Sequence, residues 1–474
     1  MQSEVIVCLE LALPAEKRYG MATRENFSGR LSVILTMAGS AIGLGNIWRF
    51  PYLAGEQGGA TFVFAYILAT IFITLPIFLS EVIIGRRSRS NASDAMGLLA
   101  PKSRFWGRVG ILAVLIPTII NSYYSVIGGW SLDYMIKSMS PGFFDASPEE
   151  VADVFRTFIS SPWEPVAMHL VFLGISVLIV AGGVKTGIEK FSRIILPVLF
   201  LLVIVIAVYS ISLPGAMDGV RYLFKPDFSK LSPETFAYAM GQSFYSMSVG
   251  MGAIITYGSY VSKDENIMAS SAFTGLSDLG FALLAGLAIM PAVFAAGIEP
   301  GSGPGLIFQS VPYIFAEMGS GVPLLSAVVS TFFFLAVVVA AMTSCVSLIE
   351  VGVAWLMERF GMRRATACKW IFAICGILGI LCSLSFGPLG RFRIAGRTLF
   401  DLFDWTSSNI LLLLMGLLAV VFVGHVMNRK DVFDEITNSG TARGNVKLFG
   451  IFFFLVRWVC PAAVIVIFLF NFLG

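Results

Sequence analysis

Residues 36–59, Thr-Met-Ala-Gly-Ser-Ala-Ile-Gly-Leu-Gly-Asn-Ile-Trp-Arg-Phe-Pro-Tyr-Leu-Ala-Gly-Glu-Gln-Gly-Gly, lie in an apolar run long enough to cross a bilayer, yet their middle is badly built for a helix. Gly39, Gly43 and Gly45 each cost about 1 kcal/mol of helix propensity relative to Ala, and a proline such as Pro51 costs roughly 3 kcal/mol in a helix interior. Asn46, Arg49 and Glu56 add polar groups at or near membrane depth. In hydrocarbon each unpaired backbone group costs several kcal/mol, so a broken helix survives only where protein, an ion or a ligand satisfies it. The stretch reads as a discontinuous helix wrapped around something polar.

The 474 residues are 57% hydrophobic and 13% charged, against roughly 25% charged in an ordinary soluble protein. This is a membrane protein, and a net charge of +3 gives no reason to propose nucleic acid. Cys8, Cys345, Cys368, Cys375, Cys382 and Cys460 mostly lie in apolar runs without metal-ligand spacing and read as free thiols. His169 and His425 stand alone, and no Ser/His/Asp grouping can be assembled, so the chain is not expected to be an enzyme.

With about 20 apolar residues per crossing, about eleven spans follow: 31–56, 60–85, 106–137, 165–182, 190–213, 233–260, 267–297, 323–357, 367–385, 398–425 and 448–472. Arg24 and Arg30 precede span 1, Arg86, Arg87, Arg89, Lys102, Arg104 and Arg108 follow span 2, and Lys185, Lys190 and Arg193 sit between spans 4 and 5. Arg359, Arg363, Arg364 and Lys369 fall between spans 8 and 9. These alternate as one side of a membrane should, which predicts a cytoplasmic N-terminus, with Arg391, Arg393 and Arg397 as the exception. Residues 1–20 contain no stretch long enough to span and read as an upstream extension of a cytoplasmic segment, 1–30. The loops 138–164, which is acidic, and 298–322, which is rich in Gly and Pro and reads as re-entrant or capping, are the large external ones.

Span 6 repeats the break, in Gly241-Gln242-Ser243-Phe244-Tyr245-Ser246-Met247-Ser248-Val249-Gly250-Met251-Gly252, so that Gly43/Gly45 and Gly250/Gly252 sit in matching interrupted segments. Interrupted segments at corresponding places in two halves point to a transporter site between inverted repeats. The expected fold is an all-α membrane protein with two five-span repeats, 31–213 and 233–425, discontinuous spans 1 and 6, and an additional span 11 at 448–474.

Neutral oxygens gather at the breaks: carbonyls of Gly39, Ala41 and Ile42, the Asn46 amide, and the hydroxyls of Ser246, Thr343 and Ser344. Asp278 is a lone carboxylate deep in span 7, where an ionisable group is by default a functional hypothesis with a cation as partner. Exposed half-helix N-termini would offer N–H groups to a carboxylate. Each feature also has a plainer reading. Small residues allow close helix packing, Thr343-Ser344 can bond their own helix, Tyr123-Tyr124 can be packing, and Glu81 and Glu350 can be buried polar contacts.

Taken together, the run Ala38-Gly39-Ser40-Ala41-Ile42-Gly43-Leu44-Gly45-Asn46-Ile47-Trp48-Arg49-Phe50-Pro51 resembles the first helix of the neurotransmitter:sodium symporters, including their bacterial amino-acid members. Gly252-Ala253-Ile254-Ile255-Thr256-Tyr257-Gly258-Ser259-Tyr260 and Ala340-Ala341-Met342-Thr343-Ser344 resemble the sixth and eighth, and the likeness runs from about Arg24 to the end. The resemblance implies a symporter in the bacterial inner membrane that imports an amino acid with sodium by alternating access. It implies a first sodium site of the Ala41 carbonyl, Asn46, Ser246 and a span-7 ligand, Ser277 or Asp278, of which Asp278 is preferred. Carbonyls of Gly39, Ile42 and Ala340 with the Thr343 and Ser344 hydroxyls would form a second. Leu44 and Gly45 amides and the Tyr124 hydroxyl would hold the substrate carboxylate. Ser40, Ala41, Gly43, Ile120, Phe244, Tyr245, Ser246, Ser248, Met251, Ser344 and Leu348 complete the expected substrate set. Arg49 with Asp404 under Tyr245 resembles an outer gate, and Arg24 with Glu358 near Tyr260 an inner one.

Monoamine members carry Asp where this chain has Gly43, so an α-amino acid is expected, and unbranched Met251 favours a large hydrophobic or aromatic one. Asp278 would supply fixed negative charge where animal members need chloride, which predicts chloride independence. Tyr245 replaces the Phe common at the outer gate. Gly187 and Pro197 bracket nine residues of span 5, a spacing that resembles a segment thought to unwind toward the second sodium site. A proton-coupled transporter of the same architecture and a channel or non-transporting sensor are the alternatives.

Overall fold

The structure is a computed structural model that describes residues 25–140, 148–297, 307–308, 311–312 and 323–473. Arg24, the extension 1–20, Cys8 and most of the loop 298–322 lie outside the described residues. Among the described residues nine helices are long and apolar enough to cross a membrane, ten if the bent pair Arg30–Ala41 and Gly45–Glu56 is one span. Span 6 falls short on length because its break leaves Pro233–Ser246 and Ala253–Gly258 as separate helices. The acidic loop after span 3 contains a helix of its own, Pro148–Ser160. It sinks Phe155 and Phe158 against Trp130 and Tyr134. The five described cysteines are buried free thiols.

Both breaks lie inside the bundle. The two halves of span 1 meet at 50°, and Ile42, Leu44 and Asn46 are fully buried. In span 6 the chain leaves helical geometry from Met247 to Gly252, with Ser248, Gly250 and Gly252 in left-handed conformation at φ 53°, 81° and 70°. A non-glycine residue held there is costly, and the Ser248 hydroxyl compensates by donating to the Ser40 carbonyl at 2.7 Å. Span 8, Pro323–Phe360, packs along both span 1 and span 3, Leu112–Ser138, and supplies the wall facing the break.

Two ionic arrangements pin the ends on the Arg/Lys-rich side. Glu25 accepts from the Val184 and Lys185 amides at 3.0 and 3.3 Å, while Glu189 accepts from the Ser28 amide and the Ser28 and Ser32 hydroxyls at 3.0, 3.1 and 2.7 Å. The start of span 1 is thereby fastened to the start of span 5. The connector between spans 10 and 11 forms the helix Arg429–Thr437, whose buried Glu435 receives Arg86 at 2.6 Å, Lys263 at 2.7 Å and Arg87 at 3.5 Å. Arg86 also donates to the Glu435 carbonyl.

Burial pushes the Glu435 carboxyl up, but Arg86 and Lys263 outweigh it and leave it below the ordinary carboxylate value. Its contribution to stability is therefore full above that ordinary value and is lost as pH falls from there through the depressed one. Removing one partner strands Arg86, which is 1% exposed, at a cost of about 3 kcal/mol. Glu435→Gln is expected to lower the thermal midpoint in detergent at neutral pH, with the deficit shrinking in acid. The pair Arg86→Met/Glu435→Leu should recover most of it.

Candidate functional site

At the break in span 1 the backbone finds partners outside its own helix. The Gly43 amide donates to the Asn46 side-chain oxygen at 3.0 Å, and the Leu44 amide donates to the Tyr124 hydroxyl at 3.1 Å. The Asn46 amide nitrogen, freed to face the other way, donates to Ser246 at 2.9 Å and to the Asp278 carboxylate at 2.8 Å. Ser246 donates to the same Asp278 oxygen at 2.7 Å, and the Tyr66 hydroxyl reaches the other at 3.2 Å. Spans 1, 2, 6 and 7 thus converge on one buried carboxylate. Among the described residues its hydrogen-bond partners are neutral donors, so a compact cation would find an anionic seat without a competing ammonium or guanidinium. Ser277, the alternative span-7 residue, is half-buried and makes none of these contacts.

A second oxygen cluster lies on the other side of the break. The Thr343 hydroxyl is 2.9 Å from the Ile42 and Ala340 carbonyls, and Ser344 donates to the Ser40 carbonyl at 3.2 Å. Gly39 faces span 5, where an added Cβ would lie 3.3 Å from the Ser192 hydroxyl. This set is neutral throughout.

Between the clusters lies a cavity of about 10 Å³ lined by Ala41, Gly43, Gly45, Ile120, Tyr124, Tyr245, Ser248, Met251, Ser344 and Leu348. That volume suits about one water, so any larger occupant must turn side chains aside, and Met251 and Leu348 are the pliable ones. A Cβ at Gly43 would overlap Ser344 and lie 3.0 Å from the Tyr124 hydroxyl. The glycine therefore keeps backbone open to that cavity.

Four members of the expected substrate set do not line the cavity, and of these Ser246 turns to Asp278. Phe244 packs on Gly416 of span 10 rather than lining the cavity, because one residue of helix turns it about 100° from Tyr245. The Ser40 hydroxyl bonds Ser347 at 2.9 Å, and Leu44 takes part through its amide alone.

Of the gate residues, Arg49 lies over the Tyr245 ring at 4.9 Å, but it makes no ion pair with Asp404 among the described residues, and its Nη1 has no hydrogen-bond partner. Tyr260 donates to Glu350 at 2.7 Å, not to Glu358. Glu350 is further held by Arg364 at 2.7 and 2.8 Å, and Glu358 accepts from the Asn91 amide and side chain at 2.8 and 2.9 Å. The Arg24–Glu358 pairing lies outside the described residues.

Sequence reasoning passed over Tyr66 and Gln242, and it left Glu81 as a mere buried contact. Gln242 donates to the Gly45 carbonyl at 2.7 Å, and Glu81 accepts from the Gly250 amide at 2.8 Å. Each is a polar side chain in an apolar run that sits opposite a break, and that was the available signal.

A bundle with two interrupted helices facing oxygen-lined positions at its centre defines a secondary transporter rather than an enzyme. The Sodium:neurotransmitter symporter family model matches residues 24–145 and 143–473. The chain belongs to that family, and sodium is its coupling ion. It is 37% identical over 448 residues to an uncharacterized sodium-dependent transporter of Bacillus subtilis (strain 168), YhdH, covering 94% of this chain and 97% of the relative. It is 35% identical over 459 residues to one of Haemophilus influenzae, covering 94% and 98%. Among solved structures it is similar to MhsT in complex with L-phenylalanine, with a TM-score of 0.85 and 38% identity over 94% of this chain and 99% of that one.

Gly250 carries φ 81° and faces Leu412, whose carbonyl oxygen an added Cβ would approach to 2.5 Å. Gly250→Ala is expected to lower thermal stability in detergent by about 1–3 kcal/mol. Gly241→Ala, where an added Cβ meets open space, should leave stability unchanged or raise it by up to about 1 kcal/mol.

Proposed function

We propose that the protein is a sodium-coupled symporter that imports a large hydrophobic or aromatic amino acid by alternating access, using two sodium positions. The observation that carries this reading is the adjacency of the Asn46–Ser246–Asp278 cluster to the cavity bounded by Gly43, Gly45 and Tyr124. A zwitterion placed there would set its carboxylate on the Leu44 and Gly45 amides and the Tyr124 hydroxyl, within reach of a sodium ion held by Asn46, Ser246, Asp278 and the Ala41 carbonyl. Ion and substrate would then share a ligand, and each would bind poorly without the other. The second ion would take the Gly39, Ile42 and Ala340 carbonyls with Thr343 and Ser344. The apolar remainder of the lining, Ile120, Tyr245, Met251 and Leu348, favours a bulky apolar side chain. The binding of L-phenylalanine by MhsT supports the same choice.

The drive suffices. A potential of 100 mV is worth about 2.3 kcal/mol per charge and a tenfold sodium gradient about 1.4, so two ions supply roughly 7 kcal/mol. The protein would lie in the bacterial inner membrane with its N-terminus cytoplasmic, as the Lys and Arg of the short loops favour.

Uptake into proteoliposomes under an inward sodium gradient tests this. Asn46→Ala and Thr343→Ala are each expected to lower it more than tenfold, and sodium-driven uptake that survived both would refute the assignment. Replacing chloride by gluconate should leave uptake unchanged in the wild type. If Asp278 supplies the fixed charge, Asp278→Asn should transport only with chloride present or not at all.

A further inference from the structure

Span 11 carries a charge that transport leaves without a task. Nine uncharged residues, 448–456, separate Arg457 from Lys447, about 15 Å of helix and half of a ~30 Å hydrocarbon core. Arg457 is exposed, and the neighbours on its face, Ile451, Phe454 and Trp458, are 61%, 58% and 59% exposed. That face looks outward to lipid, where an ionised group is costly unless it is compensated or reaches the interface.

The guanidinium turns back toward the connector between spans 10 and 11. It lies 6.0 Å from the Phe453 ring and 5.5 Å from that of Trp458. Arg429, the first residue of the connector helix, approaches the same Phe453 ring at 5.4 Å. Across the seam His425, in the last turn of span 10, meets Trp458 edge-on at 5.8 Å. The backbones are close here, since a Cβ on Gly424 would lie 3.0 Å from the Arg457 Cα.

Neither Arg429 nor Arg457 forms an ion pair among the described residues. Of the connector helix's carboxylates, Asp431 pairs with Arg87 and Glu435 with Arg86, Arg87 and Lys263, while Asp434 pairs with neither Arg429 nor Arg457 among the described residues. Two guanidiniums without counter-charge therefore flank one aromatic ring, one from the aqueous side and one from within the leaflet.

We propose that this seam binds the phosphate headgroup of an anionic phospholipid in the leaflet that holds the 10–11 connector. The phosphate would sit between Arg429 and Arg457, with Trp458 and Phe454 against the acyl chains. Charge complementarity and the exposed aromatic flank favour a lipid: basic pockets between helices bind anionic headgroups, and Phe454 and Trp458 offer apolar rings to the acyl chains.

The full chain in phosphatidylcholine nanodiscs provides the test. Quenching of tryptophan emission by lipids brominated on their acyl chains is recorded, and the Trp458 component is taken as the difference between wild type and Trp458→Phe. Brominated phosphatidylglycerol is expected to quench that component at about fivefold lower mole fraction than brominated phosphatidylcholine. Arg457→Gln should abolish the preference, and Arg429→Gln, which lies outside the span and decides the matter if the first variant does not accumulate, should reduce it at least twofold. Equal quenching by the two lipids in the wild type, or a preference unchanged in Arg429→Gln, overturns the proposal. If inorganic phosphate in the buffer erases the preference, the site takes a soluble anion and the lipid assignment fails.

Discussion

Peptide groups that lose their helical partners in a low-dielectric interior must be given others, and the centre of this bundle is arranged around that requirement. An unmade hydrogen bond costs more than a made one contributes, so each interruption recruits side chains from neighbouring spans. Tyr124 takes the Leu44 amide, Asn46 folds back on Gly43, Glu81 takes Gly250, and Ser248 and Ser344 share the Ser40 carbonyl. Spans 1, 2, 3, 6 and 8 are thus tied through polar contacts that would be pointless had spans 1 and 6 stayed whole. Several of these groups, Gly43, Tyr124, Ser248 and Ser344, also line the cavity, so under the proposed function what completes the fold would also receive the ligands.

Asp278 sharpens the point. A carboxylate buried with Asn46, Ser246 and Tyr66 as neutral donors is solvated locally while its charge remains uncompensated, which is a demand for a cation rather than a stabilising feature in itself. The Thr343 cluster is neutral and makes a weaker demand. The two clusters thus differ in charge across one break.

The span boundaries were legible because hydropathy and length decide them, and the two breaks because glycine and proline are expensive inside helices. Charge singles out Asp278 over Ser277 in span 7, and it is Asp278 that meets Asn46, Ser246 and Tyr66; Gly43, Gly45, Tyr124, Tyr245, Ser248, Met251, Ser344 and Leu348, named from the family likeness, lie around one cavity. What the sequence could not convey was which way a side chain turns when no period constrains it. Phe244 and Tyr245 are adjacent letters about 100° apart around span 6, and only the second meets the cavity. Tyr66 looks like any aromatic in an apolar run until the tilt of span 2 carries its hydroxyl to Asp278. Glu350 reads as polar filler, and its bidentate contact with Arg364 depends on the approach of spans 8 and 9, which no local pattern encodes.

The carboxylates Glu25 and Glu189 bridge the chain just before span 1 to the foot of span 5 in both directions, one capping the other's backbone and the other gathering its serines. With five donors shared between two carboxylates, the foot of span 1 cannot draw away from the foot of span 5 without giving up both sets of bonds, so displacement of one foot is coupled to displacement of the other.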